Sequence, residues 1–130
     1  MKKELTSLPD AEFEVMNAVW KCGGISVSTV AITKEMNTDK KAQTVLTMLT
    51  RLSEKGFVSS EKNGKERTWT AEFSEADYRG FEAKKIVNKV YGGSFRNLFS
   101  AFYGEKGLTR EEAEELLEFI DRKTSIGTQS

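Results

Sequence analysis

The stretch TVLTMLTRLSEKGFVSSEKNGKERTWTA, residues 44–71, constrains the fold more than any other part of the chain. With each helical residue advancing about 100° around the axis, Val45, Leu49 and Leu52 share one arc, with Ala42 and Met48 at its margin. Lys40, Gln43, Thr44, Thr47 and Arg51 share the opposite arc. The helical period stops at Gly56, a suitable residue just past a helix end. Phe57 and Val58 then begin a strand, Asn63-Gly64 supplies residues able to adopt positive φ in a tight turn, and a second strand follows to Ala71. An amphipathic helix running directly into a hairpin is the sequence form of a winged helix-turn-helix.

The outer arc of that helix has a distinctive chemistry. Between Lys40 and Arg51 there is no carboxylate, only hydroxyls, an amide and cations besides the apolar residues. Such groups approach a phosphate backbone without repulsion, and Arg or Lys suits guanine while Gln suits adenine in the major groove. Lys41, Gln43, Thr44, Thr47 and Arg51 are therefore the candidate DNA-reading residues. Lys62, Lys65 and Arg67 surround the hairpin turn, interrupted by Glu61 and Glu66, and can hold a flanking phosphate or enter a minor groove.

Composition removes most other chemistries. The 130 residues contain one cysteine, Cys22, and no histidine, which excludes an intramolecular disulfide, the common His/Cys zinc centres and histidine-dependent nucleophilic triads. The carboxylates lie mainly on helix surfaces, so no catalytic residue, metal site or cofactor is assigned and the chain is not read as an enzyme. No apolar run approaches the roughly 20 residues of a membrane span, and the N-terminus lacks a hydrophobic leader. A cytoplasmic protein without membrane insertion is expected. Net charge is zero, yet residues 34–67 carry eight Lys/Arg against five Asp/Glu while residues 105–121 are strongly acidic. That local asymmetry is compatible with DNA binding of modest nonspecific strength, weakening as salt rises.

Residues 10–21 read as a first helix with Phe13, Met16, Val19 and Trp20 inward. Gly23-Gly24 ends it, residues 25–27 can form a short strand, Ser28 caps a second helix to Met36, and residues 37–39 turn into the reading helix, 40–55. Beyond residue 72 the chain becomes helical. Ser74 to Asp77 resembles a capping box for a helix carrying Tyr78, Phe81, Ile86, Val90 and Tyr91. Gly92-Gly93 breaks it, Ser94 caps a helix with Phe95, Leu98, Phe99 and Phe102 that ends at Gly104, and Thr109 with Glu112 boxes a last helix with Ala113, Leu116, Leu117 and Ile120. Helices this few and this apolar form only a small core within one chain. Burial against a second copy predicts a homodimer, whose twofold symmetry suits a palindromic operator. The fold class is thus mainly α with a small β-hairpin wing: a winged DNA-binding domain at 1–72, a helical dimerisation region at 73–123 and a flexible tail at 124–130.

Several separated blocks now line up with a known family. Ala11-Glu12-Phe13-Glu14-Val15-Met16 through Trp20, Thr44-Val45-Leu46-Thr47 through Arg51-Leu52, Glu54-Lys55-Gly56 and Tyr91-Gly92-Gly93-Ser94 resemble the BlaI/MecI/CopY penicillinase repressors, over about residues 8–123. The resemblance implies a dimeric transcriptional repressor whose third helix reads operators with inverted TACA/TGTA elements. Thr44, Thr47 and Arg51 match that pattern, Lys41 and Gln43 occupy variable reading positions, and Leu46 stands where some members place a basic residue. It further implies a dimer interface involving Tyr91, Phe95, Leu98, Phe99, Phe102, Leu116, Leu117 and Ile120. The β-lactam-linked branch is released when a membrane metalloprotease sensor's signal leads to cleavage, commonly at an Asn-Phe bond. Ala101-Phe102 takes that position here, with Ala replacing Asn. The copper-responsive branch carries a C-terminal cysteine cluster that this chain lacks.

The resulting expectation is a repressor of the β-lactam-resistance type, bound to DNA as a dimer and relieved by proteolysis. Two alternatives have different signatures: a winged-helix regulator released by a small ligand in an aromatic pocket of the C-terminal half, and a winged-helix module that binds proteins instead of DNA.

Overall fold

A computed structural model describes residues 4–127 of the chain. The elements run α1 (Asp10–Lys21), β1 (Val27–Ser28), α2 (Thr29–Met36), α3 (Ala42–Glu54), β2 (Val58–Asn63), β3 (Glu66–Ala71), α4 (Glu75–Val90), α5 (Phe95–Tyr103), a single 3-10 turn (Gly104–Lys106) and α6 (Arg110–Gly127). The sheet is antiparallel in the order β1-β3-β2, with Val27 opposite Trp69 and Ser60 opposite Trp69 on the other side. The mainly helical winged architecture is therefore as the sequence predicts.

The chain forms two compact units, residues 1–84 and 85–130. In the first, Val15, Met16 and Val19 of α1 pack with Ile32 of α2, Val45, Leu49 and Leu52 of α3, and Phe57, Val58 and Trp69 of the hairpin, all buried. The three residues placed on the inner arc of α3 are thus its three buried residues. Polar atoms carried into this core are satisfied locally. Trp69 Nε1 donates to Thr29 Oγ1 and Trp20 Nε1 to the Phe73 carbonyl, both at 2.9 Å.

Differences from the sequence reading have identifiable causes. The winged unit extends past residue 72, because Phe73 is buried against Phe57 and Tyr78 is buried with its hydroxyl accepting from Leu8 N at 2.9 Å. Phe13, expected inside, is 38% exposed and stacks on Tyr78. The inner stripe of α1 instead includes Val15 and Glu12, which periodicity misjudged because a carboxylate is not normally counted as core. The first strand is 27–28, since Gly23, Gly24 and Ser26 take positive φ and leave Ile25 exposed. Asn63 is the last ladder residue, opposite Glu66, so Gly64 and Lys65 form the hairpin loop. Gly64 has φ +65° at the first loop position, the pattern of a II′-type turn, where glycine escapes the steric cost met by other residues.

The second unit contains the end of α4 with α5 and α6. Ser94 Oγ accepts from Asn97 N at 3.1 Å, and Thr109 and Glu112 exchange both capping-box bonds at 2.9 and 3.1 Å. Tyr91 lies just beyond α4. The backbone remains helical to Gly127, past the tail boundary expected at 124, and the rest of that tail, 128–130, lies outside the described residues.

Candidate nucleic-acid interface

Residues 37–41 turn the chain from α2 into α3. Asn37 closes α2 in the left-handed region, φ 46°, donating its N–H to the Lys34 carbonyl. Lys41 occupies the N-cap of α3 without a side-chain capping bond, and the first turn carries no acid. By contrast, α1, α4 and α6 each place acids in the first turn. The start of α3 therefore has neither a side-chain cap nor a first-turn acid to compensate its positive end, which favours an approaching phosphate.

Lys41, Gln43, Thr44, Thr47 and Arg51 are all exposed above the buried face of α3. Thr47 Oγ1 donates to the Gln43 carbonyl at 3.0 Å, and Thr50, absent from the sequence-based set, does the same to Leu46. With its proton committed, the Thr47 hydroxyl offers lone pairs and its methyl group to a base edge. Leu46 is half-buried and packs against the core.

The cations in this region divide by use. Lys40, placed by sequence on the outer arc, has its Nζ 3.0 Å from Glu14 Oε2 of α1. Lys55 is paired with the buried Glu12. Lys41 and Arg51 make no ion pair among the described residues, so α3 presents one cation at each end of its outer face.

In the wing, Lys62, Lys65 and Arg67 are exposed. Lys62 lies directly opposite Arg67, on the face shared with Val58, Ser60 and Trp69, whereas Glu61 and Glu66 alternate to the other face. The acids that interrupt the basic run in sequence are thereby separated from it in space. Ser60, which the sequence reading did not single out, accepts a hydrogen bond from Arg67 Nη1 at 3.0 Å. Strand alternation counted back from Arg67's partner would have found it.

No described residue of the second unit is buried. Phe95, Phe102, Leu117 and Ile120 of the expected interface are exposed, Phe102 at 77%, while Tyr91, Leu98, Phe99 and Leu116 are half-buried. Ile86, Val90 and Phe119 add to this apolar surface; Phe119 follows Leu116 by one helical step and could have been read from α6. Rings run along α5, with centroids of Phe95 and Phe99 6.0 Å apart and those of Phe99 and Tyr103 4.8 Å apart. Ala101 and Phe102 lie within α5 and are both exposed.

Cys22 is half-buried, its Sγ 3.8 Å from the Ala31 carbonyl, and burial followed by the nearby Glu35 charge pushes the thiol pKa up. Among the described residues there is no His/Cys/Asp/Glu cluster able to hold a metal, and no helix long and apolar enough to cross a membrane.

Comparison with known proteins agrees with this geometry. The penicillinase repressor family profile matches residues 8–122. The methicillin resistance regulatory protein MecI of Staphylococcus aureus (strain N315) is 31% identical, over 95% of this chain and all of its own length. The penicillinase repressor of Bacillus licheniformis is 29% identical, over 92% of this chain and 93% of its own. The solution structure of the DNA-binding domain of the repressor BlaI covers 58% of this chain and 93% of that domain, with a TM-score of 0.50 at 35% identity. These relatives are named as repressors and regulators, not as enzymes.

Proposed function

The chain belongs to the penicillinase repressor family, and from that membership we propose that it is a dimeric transcriptional repressor of the β-lactam-resistance type acting in the cytoplasm on a palindromic DNA operator. The observation that carries the reading is the outer face of α3. Lys41, Gln43, Thr44, Thr47 and Arg51 are exposed above a fully buried inner face, with no carboxylate among them and a positive helix end beside them. Arg51 and Gln43 supply the side chains suited to guanine and adenine, and Lys62, Lys65 and Arg67 hold flanking backbone.

The bare apolar surface of α5 and α6 supports a second copy as partner. Large apolar side chains exposed together along one element are characteristic of an association surface. Two winged units held by such a pairing read two half-sites, and contact with both raises affinity beyond either alone. Release follows when that region is cut at Ala101-Phe102, upstream of which a membrane metalloprotease sensor acts. Since this bond lies inside α5, cutting requires that helix to open locally.

Selecting bound duplexes from a random pool tests the reading: an inverted repeat of two half-sites is the expected result, and failure to retard any duplex at low salt rejects it in favour of a protein-binding module. Mass spectrometry of the chain after induction tests release, and an inactive but uncut repressor rejects cleavage. One observation bears on control by a small ligand instead, a hollow of about 370 Å³ between α5 and α6 lined by Phe99, Tyr103, Leu116 and Phe119 together with the charged Glu112, Glu115 and Arg122. Release of a purified DNA complex by a small molecule, with the chain intact, would establish that route.

A further inference from the structure

We infer that Ser60 is a positioning residue of the wing, holding the Arg67 guanidinium beside Lys62 so that the two cations act together on one backbone phosphate, an inference that rests on the DNA-binding reading above. Register puts Lys62 directly opposite Arg67, and Ser60 one step inward opposite Trp69, so the three side chains share one face of the hairpin. Directly opposed residues have Cβ atoms about 4.5–5.5 Å apart, and like charges there repel. The other residues on that face are Val58, Trp69 and Ala71, and Glu61 and Glu66 belong to the opposite face. Lys62 makes no ion pair among the described residues. The face therefore lacks an anion that would balance its two charges.

A phosphate fills that role in a way a side-chain carboxylate on the far face cannot. Arg67 gives one N–H to Ser60 Oγ, at 3.0 Å, and keeps the rest of its planar fork for phosphate oxygens. Lys62 adds a compact charge from the neighbouring strand. An unrestrained arginine would lose rotamer freedom on binding, and the Ser60 bond removes part of that loss beforehand. Lys65, in the hairpin loop, is not part of this pair.

Phosphate contacts are independent of sequence, so the full chain with a labelled random-sequence duplex suffices as probe. Anisotropy titrations between about 50 and 200 mM salt give the dependence of binding on salt. Because both cations act on one phosphate, the Lys62→Ala/Arg67→Ala double variant should reduce the log–log salt slope by about 0.9 in all, and each single variant by part of that. Ser60→Ala should weaken binding about two- to fivefold, the change expected when one hydrogen bond of modest net strength is lost. Ser60→Thr, which keeps the hydroxyl, should bind like the parent, and Ser60→Ala should add no loss in an Arg67→Ala background. All three positions are exposed, so an unchanged circular dichroism spectrum and melting temperature will separate these effects from misfolding. Unchanged slopes, an equal Ser60→Ala loss without Arg67, or failure of Ser60→Thr to restore binding each overturns the assignment. If the parent chain binds no duplex, the DNA-binding reading fails and this inference with it; if the parent binds and only the wing variants are silent, this inference alone fails.

Discussion

Glu12 is 5% exposed in the first turn of α1, and it is paired with Lys55 at the end of α3. The pair ties two helices together where the apolar core meets solvent. Because Lys55 remains about a third exposed, the pair's own attraction is partly screened, but removing the lysine leaves a desolvated carboxylate. Lys55→Ala should destabilise the winged unit by about 1–3 kcal/mol, measurable as a lower urea midpoint. Arg51 has a different kind of effect, since it is exposed and makes no ion pair among the described residues. Arg51→Ala should leave stability unchanged and reduce operator affinity by about 1–3 kcal/mol if it forks onto a guanine; equal losses on random DNA would assign it to phosphate. At Cys22, burial and then Glu35 raise the thiol pKa, so the neutral thiol is favoured in the folded state. Its stabilising contribution is present below the unfolded thiol's pKa and is lost as pH rises through the raised value. Alkylation at mildly alkaline pH should accordingly be slower in the native chain than in the denatured one.

At the scale of elements, local capping chemistry sets where helices begin. Ser28 Oγ accepts from Ala31 N at 3.1 Å and fixes the start of α2, directly after the short strand that pairs with β3. Ser28→Ala should cost about 1 kcal/mol and lower the melting temperature, whereas Ser28→Asp, which keeps an acceptor, should retain most of the stability. Helix α3 lacks such a side-chain cap, and that difference has a consequence for binding. A side-chain cap would occupy N–H groups that are otherwise available to a phosphate. The wing obeys a different local rule: alternation along two registered strands sorts lysine and arginine to one face and glutamate to the other.

At the scale of the molecule, the two units differ in how they bury apolar surface. The first has a continuous core of fifteen buried hydrophobic residues, from Leu8 to Tyr78. The second leaves large aromatics and aliphatics exposed, which the proposed association with a second copy would cover. Phe102→Glu places a charge on that surface, and sedimentation should show a shift toward monomer with a matching loss of operator affinity. An unchanged dimer would exclude Phe102 from the interface.

Much of this was legible without coordinates, for a physical reason. Helical periodicity, capping residues and glycine stops are local, and they gave α1 to the residue, the Ser28, Ser94 and Thr109 caps, and the buried triad Val45, Leu49 and Leu52 of α3. The family blocks are likewise properties of the chain alone. What required the tertiary structure involved residues distant in sequence: Glu12 becoming core because Lys55 reaches it, Lys40 turning from the outer face of α3 to Glu14, and Phe73 and Tyr78 joining the winged unit. The opposition of Lys62 and Arg67 depends on the hairpin register, because with Asn63 instead of Gly64 first in the turn each partner shifts by two residues and Lys62 faces Lys65. Sequence determined which surface of α3 carries the hydroxyls, amide and cations proposed to read DNA, because side-chain period follows from backbone geometry; only packing decided which of its cations are left outside ion pairs, because a charge goes to whichever opposite charge the fold brings within reach.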